Sequence, residues 1–387
     1  GPSATVAHAN IQKNPRRIAA TGAALLIGVT LVSTIATGAA SAKETMNGAL
    51  ATRYSVDIVA MGDDISQQMV KDVADINGVS DTLYAPAVSV TLEKADGTQP
   101  TSALLVGVKN IDQVKQVMRA NLGNASIDSD SVLMPTYNAQ TGKELQFANG
   151  TADFSTEWNQ DGVTTRSLTL QANQADYRRV SAQYGAVGFV DESHFTNGDL
   201  DAATHVLLVK ADTDKSGVSV DGIYNNMQAA LEKSTDATVT GPIAERIEWA
   251  NMIDSMMMLL VGLIAVAVLI ALVGVANTLS LSVIERTRES ATLRAIGMTR
   301  GQLRRSLAVE ALLISLVSGI SGVLLGTLFG WLGAYVVFSM YGKVVFPFEW
   351  GINGIVLAVA AVAALLASVF PARRAVSTPP VEALAEA

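Results

Sequence analysis

Four stretches of this sequence are long and apolar enough to decide what it can fold into: Ile18 to Ala40, Met252 to Leu281, Leu307 to Met340 and Ile352 to Phe370. A helix rises about 1.5 Å per residue, so about 20 apolar residues cross the hydrocarbon core of a bilayer. Each stretch therefore reads as a transmembrane helix, and the second and third, longer than the core requires, are expected to tilt or to project as continuous helices. Composition agrees: 49% of the 387 residues are hydrophobic and only 16% charged, too apolar for one soluble domain.

Charge sets the expected orientation, because short cytoplasmic segments carry an excess of Lys and Arg. Basic residues cluster before the first span (Lys13, Arg16, Arg17), between the second and third (Arg286, Arg288, Arg294, Arg300, Arg304, Arg305) and after the fourth (Arg373, Arg374). Both termini and the 285–305 loop are thus expected in the cytoplasm of a cell-membrane protein, and residues 44–250 outside. That long segment holds 28 Asp and Glu against 14 Lys and Arg, a net of −14, while the rest of the chain carries +6. An acidic outer domain on a basic inner rim suits the lipid bilayer as a partner and excludes nucleic acid.

Several chemistries are excluded outright. There is no cysteine, so disulfides, Cys-ligated zinc and a Cys nucleophile are absent. His8, His194 and His205 are scattered and lack the spacing of a metal site, so no metal ligand is expected. The carboxylates of 44–250 stand at no readable spacing from a base or nucleophile; they read as a solvated surface and no catalytic residue is assigned. No G-x-x-x-x-G-K-[ST] occurs, and QTGKE at 140–144 lacks both the upstream glycine and the hydroxyl, so this chain has no nucleotide cofactor of its own. The opening GPSATVAHAN has neither Met nor a signal-peptide pattern, which fits a tag scar or a chain that starts partway through a longer protein.

Within 44–250 the pattern is α+β. RYSVDIVA, ISQQMVKDVADI and VSDTLYAPAVSVTLEK read as strand, helix and strand, with Gly78 ending the helix; THVLLVKA (204–211), VDGIYNNMQAALEK (220–233) and ATVTG (237–241) repeat the order. Between these βαβ-like ends, about 110–203 is richer in Gly, Asn, Asp and Thr, with VTTRSLTL and YGAVGFVD as its clearest strands, and reads as a β-rich inserted subdomain. The triplets NAS (124–126) and NGT (149–151) match a glycosylation acceptor.

Two features of the spans bear on function. Gly319, Gly322, Gly326 and Gly330 make a small-residue stripe on the third span, and Gly28, with Ala20 and Ala24, repeats it on the first; such stripes let helices approach closely, within one chain or between subunits. The loop ERTRESATLRAIGMTRGQLRR is more than a set of charges. Gly297 suits a helix C′ position and Thr299 with Gln302 makes a capping box, so two helix ends meet at a tight turn. Leu293, Ala295, Ile296 and Met298 cluster there among arginines. Lipid headgroups need only the charges; the apolar cluster suits docking a protein. Glu310, read as lying in the first turns of the third span, is expected to be held by the helix dipole.

The run NTLSLSVIERTRESATLRAIGMTRGQLRRSLAVEALLISLVSGISGVLLG and the closing PARRAVSTPPVEALAEA resemble the C-terminal three-helix unit of FtsX-like, MacB-type ABC transporter permeases. The E-R-x-R-E-x-x-x-L-R-A-I-G-x-x-R core, the glutamate in the third span, the glycine-rich helix and the P-A-R-R-A tail stand in the order of that family, and NIQKNPRRIAATGAALLIGVTLV is similar to the entry of the second half of long, duplicated actinobacterial permeases. The resemblance implies four transmembrane helices with an α+β extracytoplasmic domain inserted between the first two. The segments are then 1–17 cytoplasmic, 18–43 the first span with its outer extension, 44–250 the outer domain, 251–284 the second span, 285–305 a cytoplasmic coupling loop, 306–340 the third span, 341–351 a short outer loop, 352–372 the fourth span and 373–387 a cytoplasmic tail.

It implies that Arg286, Arg288, Glu289, Leu293, Arg294, Ile296, Gly297, Met298 and Arg300 rest on cytoplasmic ABC ATPase subunits, which supply ATP and Mg. A second permease, identical, different or the other half of a duplicated chain, would complete a dimer through the first two spans. This subunit is then no enzyme: it transmits motion from the ATPase to the outer domain, for export or extraction of a peptide, lipid-linked or drug-like substrate. The alternative within the same family is a transmitter that switches an extracellular cell-wall hydrolase without transport.

Overall fold

The computed structural model describes residues 15–93, 95, 99–159, 163–215, 217–285, 297–340 and 342–377. The chain divides into a sheet unit, Asn47–Trp249, and a helical unit formed by 1–46 and 250–387.

The sheet unit is built on one strand, β2 (Val79–Glu93), that serves two architectures. Its first half pairs antiparallel with β8 (Thr204–Ala211), from Val79 opposite Ala211 to Ala87 opposite Thr204. Strand β8 pairs in turn with β1 (Ile58–Gly62), and β1 with β9 (Thr238–Thr240), all antiparallel. Helix α2 (Gln67–Ala74) joins β1 to β2 and α5 (Val220–Leu231) joins β8 to β9, giving the split β-α-β-β-α-β arrangement. Both helices start on side-chain caps: Ser66 accepts from the Met69 amide and Ser219 from that of Gly222. Their apolar stripes, Met69 and Val73 with Ile223, Met227 and Leu231, cover Ile58, Ala60, Leu207 and Val209 of the sheet. Between α2 and β2, Gly78 at φ 100° makes the reversal that a side chain at that position would resist.

The second half of β2 closes a barrel. It pairs with β3 (Thr101–Val108) on one edge and β5 (Thr151–Asn159) on the other, and the ladder runs β3, β7 (Ala186–Asp191), β4 (Ser131–Pro135), β6 (Val163–Ala175), β5 and back to β2. Six strands thus leave no free edge. Side chains alternate across this wall with period two. Val88, Val90 and Leu92 of β2, Ala103 and Leu105 of β3, Val132 and Met134 of β4, Phe154 of β5 and Leu170 of β6 belong to one enclosed cluster. Gly188 of β7 lies on the same face, where an added Cβ would stand 2.6 Å from the Met134 sulfur. The alternate residues, Leu104, Val106, Leu133, Val187 and Phe189, face outward and are covered by Val114 and Val117 of α3 (Ile111–Val117). Strands β3, β4 and β7 are therefore buried on both faces, the reason their sequences read as near-continuous apolar runs. A short helix, α4 (Ser193–Thr196), follows β7.

The helical unit holds the long helices. Helix α1 (Pro15–Arg53) and α6 (Pro242–Glu285) contribute residues to both units, while α7 (Arg300–Phe338) and α8 (Trp350–Ser377) lie wholly in this one. Segments of α1, α6 and α7 are long and apolar enough to cross a membrane, and α8 contributes a shorter apolar stretch, Trp350–Leu366. Helix α7 starts at Arg300, well ahead of the apolar run at Leu307, so Glu310 sits in its third turn, and it is buried. The dipole acts on the first turn only and is not what holds this carboxylate.

Helix α7 is also inside out. Its buried face is mostly small or polar, Ser306, Glu310, Ser315, Gly319, Gly322, Gly326, Thr327, Gly330 and Ala334 with Leu303, Ile314 and Val323, while Val317, Leu324, Leu328, Phe329, Leu332 and Val336 are exposed. Water would favour the opposite distribution; lipid tails, as apolar as leucine, allow this one. Between α7 and α8 an aromatic cluster gathers: Trp331 donates from Nε1 to the Pro347 carbonyl at 2.8 Å and meets Phe346 edge-on, and Phe348 meets Trp350. Trp at the end of an apolar helix is the residue of a membrane–water interface.

Candidate functional site

Three constellations come from the residues singled out above and their neighbours. The first is the rim of the basic loop. Arg286, Arg288, Glu289, Leu293, Arg294 and Ile296 lie outside the described residues. What is described is the start of α7. Gly297 has φ 109°, a left-handed conformation that glycine adopts without strain. Met298 is half-buried and Arg300 exposed. The capping box is closed in both directions: the Gln302 amide donates to Thr299 Oγ1 at 3.2 Å and the Thr299 amide to Gln302 Oε1 at 2.8 Å. Two otherwise unsatisfied helix-end donors are thereby paired, which fixes where α7 begins and the direction from which the chain enters it.

The second is the glycine seam. An added Cβ at Gly322 would stand 2.8 Å from Val29 Cβ, at Gly326 2.5 Å from Ser33 Cβ, and at Gly330 2.7 Å from Thr37 Cβ, all on α1; at Gly319 it would meet Leu357 of α8 at 2.7 Å. Gly28 is buried on α1. Helices α1 and α7 of the same chain thus meet backbone to side chain at three successive glycines, a little over two turns. The partners on α1 were not singled out from the sequence, although their spacing was legible: Thr30, Ser33, Thr37, Ser41 and Thr45 form a hydroxyl stripe at intervals of three and four. Ser33 is fully buried and donates to Asn353 Oδ1 of α8 at 2.9 Å, and Thr45 Oγ1 accepts from the Val345 amide at 3.1 Å. Lys43 of α1 and Asp254 of α6 form an ion pair.

The third constellation was invisible in the sequence. In the sheet unit, the end of α1 and the start of α6 enter a polar network. Tyr54 donates its hydroxyl to Glu245, and Arg179 lies over the Tyr54 ring, 5.5 Å from its centre. Burial first, and then the Glu245 carboxylate, hold the phenol well above its ordinary range, so it remains a donor. Three residues on, Asp57 accepts from Arg119 Nε at 2.9 Å and Nη2 at 2.7 Å and from the Ala211 amide at 2.8 Å. The Arg119 guanidinium, its charge held by the Asp57 carboxylate, also donates to the Ala211 carbonyl at 2.5 Å. The Ile243 amide closes the set on the Asp57 carbonyl at 3.3 Å. A cleft of about 280 Å³ opens beside it, lined by Tyr54, Asp57, Arg119 and Arg246. The network joins α1, α6, β8 and the segment after α3, elements far apart in sequence, and its groups are donors and acceptors already paired rather than a nucleophile with a base. Among the described residues no group of three His, Asp or Glu could hold a metal ion. His194 lies buried between Asp199 Oδ2, 2.9 Å from Nδ1, and the Ser129 carbonyl, 2.7 Å from Nε2, and His205 stacks on Tyr84.

Residues 261–380 match the family described as FtsX-like permease C-terminal. Among relatives, the macrolide export ATP-binding/permease protein MacB of Brucella abortus (strain 2308) is 32% identical over 35% of this chain and 22% of its own length. The pyoverdine export ATP-binding/permease protein PvdT of Pseudomonas aeruginosa is 23% identical over 73% of this chain and 47% of its own, and the uncharacterized ABC transporter permease MJ1507 of Methanocaldococcus jannaschii 27% identical over 44% of each. The chain spans less than half the length of these relatives.

Proposed function

We propose that this chain, an FtsX-like permease of the MacB type over residues 261–380, is the non-catalytic membrane subunit of an ABC transporter, driven by a separate ATPase. The observation that carries the reading is the closed capping box at Thr299 and Gln302, behind Gly297 in its left-handed turn, inside the family-matched segment. A loop that only held lipid headgroups would need its arginines and no such definition. A loop that receives force from a motor must enter the next helix at a fixed angle, and the box supplies that.

In this reading Arg286, Arg288, Glu289, Leu293, Arg294, Ile296, Gly297, Met298 and Arg300 rest on the ATPase, with the apolar members in a pocket of the motor and the arginines on its rim. ATP and Mg belong to the partner. The termini and this loop are cytoplasmic, and residues 44–250 are outside. Helices α1 and α6 carry the motion, since each supplies residues to both units, and the Tyr54–Glu245 and Asp57–Arg119 network is where their ends are gripped. A second permease covers α6, on which no described side chain between Glu245 and Val266 is buried. The cargo is a peptide, a lipid-linked or a drug-like molecule handled at the outer face, and no route through the spans is required. The sequence of α7 supports that last point: between Ser306 and Phe338 Glu310 is its one Asp, Glu, Lys, Arg or His, where a polar pathway would place several ionisable groups.

The test is co-purification. Leu293→Asp and Ile296→Asp, each placing a charge in the apolar cluster, are expected to leave membrane insertion intact and to remove the ATPase from the purified complex. Retention of the ATPase at wild-type stoichiometry in both variants would refute the coupling role.

A further inference from the structure

The sheet unit is strongly acidic, yet three arginines line one cleft in it, and among the described residues none of the three is in an ion pair. Arg53 ends α1, and Arg178 and Arg179 follow β6. The fold brings them together by pairing the two segments: the Arg179 amide donates to the Arg53 carbonyl at 3.2 Å and the Ser55 amide to the Arg179 carbonyl at 2.9 Å. All three line one cleft of about 670 Å³, a volume suited to a small-molecule ligand.

Two of the three are held in place by bonds that use only part of their donor set. Arg178 donates from Nη1 to the Thr52 carbonyl, and Arg179 from Nη2 to the Ala139 carbonyl at 2.6 Å while lying over Tyr54. Arg53 is exposed and makes no side-chain hydrogen bond or ion pair among the described residues, and neither Arg178 nor Arg179 has a carboxylate within ion-pair distance. The same cleft is lined by Tyr137, 53% exposed, and Gln140. Asp176, exposed, is the one carboxylate among the lining residues. Three like charges line one cleft in a domain with acidic residues to spare, and two of the guanidiniums are held in place with donors left over. That is the arrangement that binds an anion.

We propose that this cleft is a binding site for an anionic group, a phosphate or a carboxylate, on a small molecule whose planar body rests on Tyr137. The site is independent of the transport reading: it belongs to the sheet unit and holds whether or not the chain works with an ATPase. The ligand's charge comes either from a soluble compound or from a lipid headgroup, and the two are separable by experiment.

The full chain in nanodiscs of phosphatidylcholine is titrated calorimetrically with phenyl phosphate, with benzyl alcohol as the uncharged control. Saturable binding of phenyl phosphate alone is expected, weakened about tenfold or more by Arg53→Glu and by Arg178→Gln, with thermal stability of both variants near wild type. Arg53→Glu is the decisive variant, because among the described residues no hydrogen bond or ion pair depends on its side chain. Repeating the titration in nanodiscs containing phosphatidylglycerol identifies the source: an apparent affinity several-fold lower means that the lipid headgroup occupies the cleft, and an unchanged one means a soluble ligand. Absence of saturable binding in the wild type, equal binding of benzyl alcohol, or full affinity in a folded Arg53→Glu variant would overturn the proposal.

Discussion

The barrel of the sheet unit and helix α7 of the helical unit are both tightly packed, and they bury opposite kinds of residue. The barrel encloses Phe154, Leu92, Leu105 and Met134, each under 2% exposed. Helix α7 hides Gly319, Gly322, Gly326, Gly330, Ser306, Ser315 and Glu310, with Leu303, Ile314 and Val323 among them, and leaves Leu324, Leu328, Phe329 and Val336 outside. The difference lies in what the exposed face meets. In water, removing large apolar side chains from solvent is itself the driving force, about 25 cal/mol per Å². In lipid that term vanishes between helices, and what remains is close approach of backbones and hydrogen bonds between small polar side chains. Burial in one unit selects for apolar area and in the other for small size.

The sharpest way to break this comparison is to remove comparable large side chains from the two places. Phe154→Ala in the barrel is expected to cost about 3–5 kcal/mol, because the enclosed cluster cannot collapse around the void. Leu328→Ala on α7, 48% exposed, is expected to cost well under about 1 kcal/mol, since lipid fills the space. Denaturant titration of the full chain in nanodiscs, read by hydrogen exchange in β5 and in α7 separately, checks both. A loss at Leu328 equal to that at Phe154 would mean that the exposed face of α7 meets protein instead of lipid.

The reverse substitution probes the seam. Gly326→Val must displace Ser33 and the Thr30 carbonyl, which an added Cβ would approach to 2.5 and 2.6 Å, whereas Gly333→Val points into open space. The first is expected to destabilise the α1–α7 contact by about 1–3 kcal/mol, and the second to be near neutral. The chain has no cysteine, so a pair introduced at Val29 and Val323, two members of one buried cluster, reports the contact by disulfide formation without background. Gly326→Val should lower that yield several-fold. Equal yields for the two variants would remove the seam from the account of how these helices pack.

How far these places were legible in the sequence follows from the same physics. Alternation and helical period are local, so the eight residues of THVLLVKA emerge as β8 and the amphipathic α2 and α5 stand where their apolar stripes put them. The glycine stripe at 322, 326 and 330 and the Thr299 cap were legible for that reason too: each is written within a dozen residues. Closure of the barrel was not. It needs β2 to turn from β8 toward β5 partway along, with β3 on its other edge, a choice that depends on two strands distant from it in sequence. The Tyr54, Asp57, Arg119 and Arg179 network was hidden likewise, since its members look like ordinary surface residues until α1, α6 and two loops converge. Sequence alone separates a strand from a helix, but not a paired arginine such as Arg119 from an unpaired one such as Arg53.

Acid separates the two units most gently. Two carboxylates of the sheet unit are held by several hydrogen bonds each: Asp64 accepts from the Ser234 hydroxyl and from the Thr235 amide at 2.9 Å, and Asp199 from His194 and Asn197. Bonds from Ser234, then Thr235, hold the Asp64 carboxyl below the usual carboxylate range, and those from His194, then Asn197, do the same for Asp199. A carboxyl whose folded-state pKa is depressed binds its proton more readily when unfolded. Its contribution is therefore present above the unfolded value, near pH 4, and is lost as the pH falls through the folded one. Both side chains are largely solvated, so the effect is small. Unfolding of the sheet unit, followed in nanodiscs at pH 6 and at pH 3, should become slightly easier in acid, and Asp64→Asn together with Asp199→Asn should flatten that dependence. Helix α7, which carries neither of these aspartates and has Glu310 as its one carboxylate, should keep its hydrogen-exchange protection over the same range; a parallel loss there would mean that acid does not act through Asp64 and Asp199 alone.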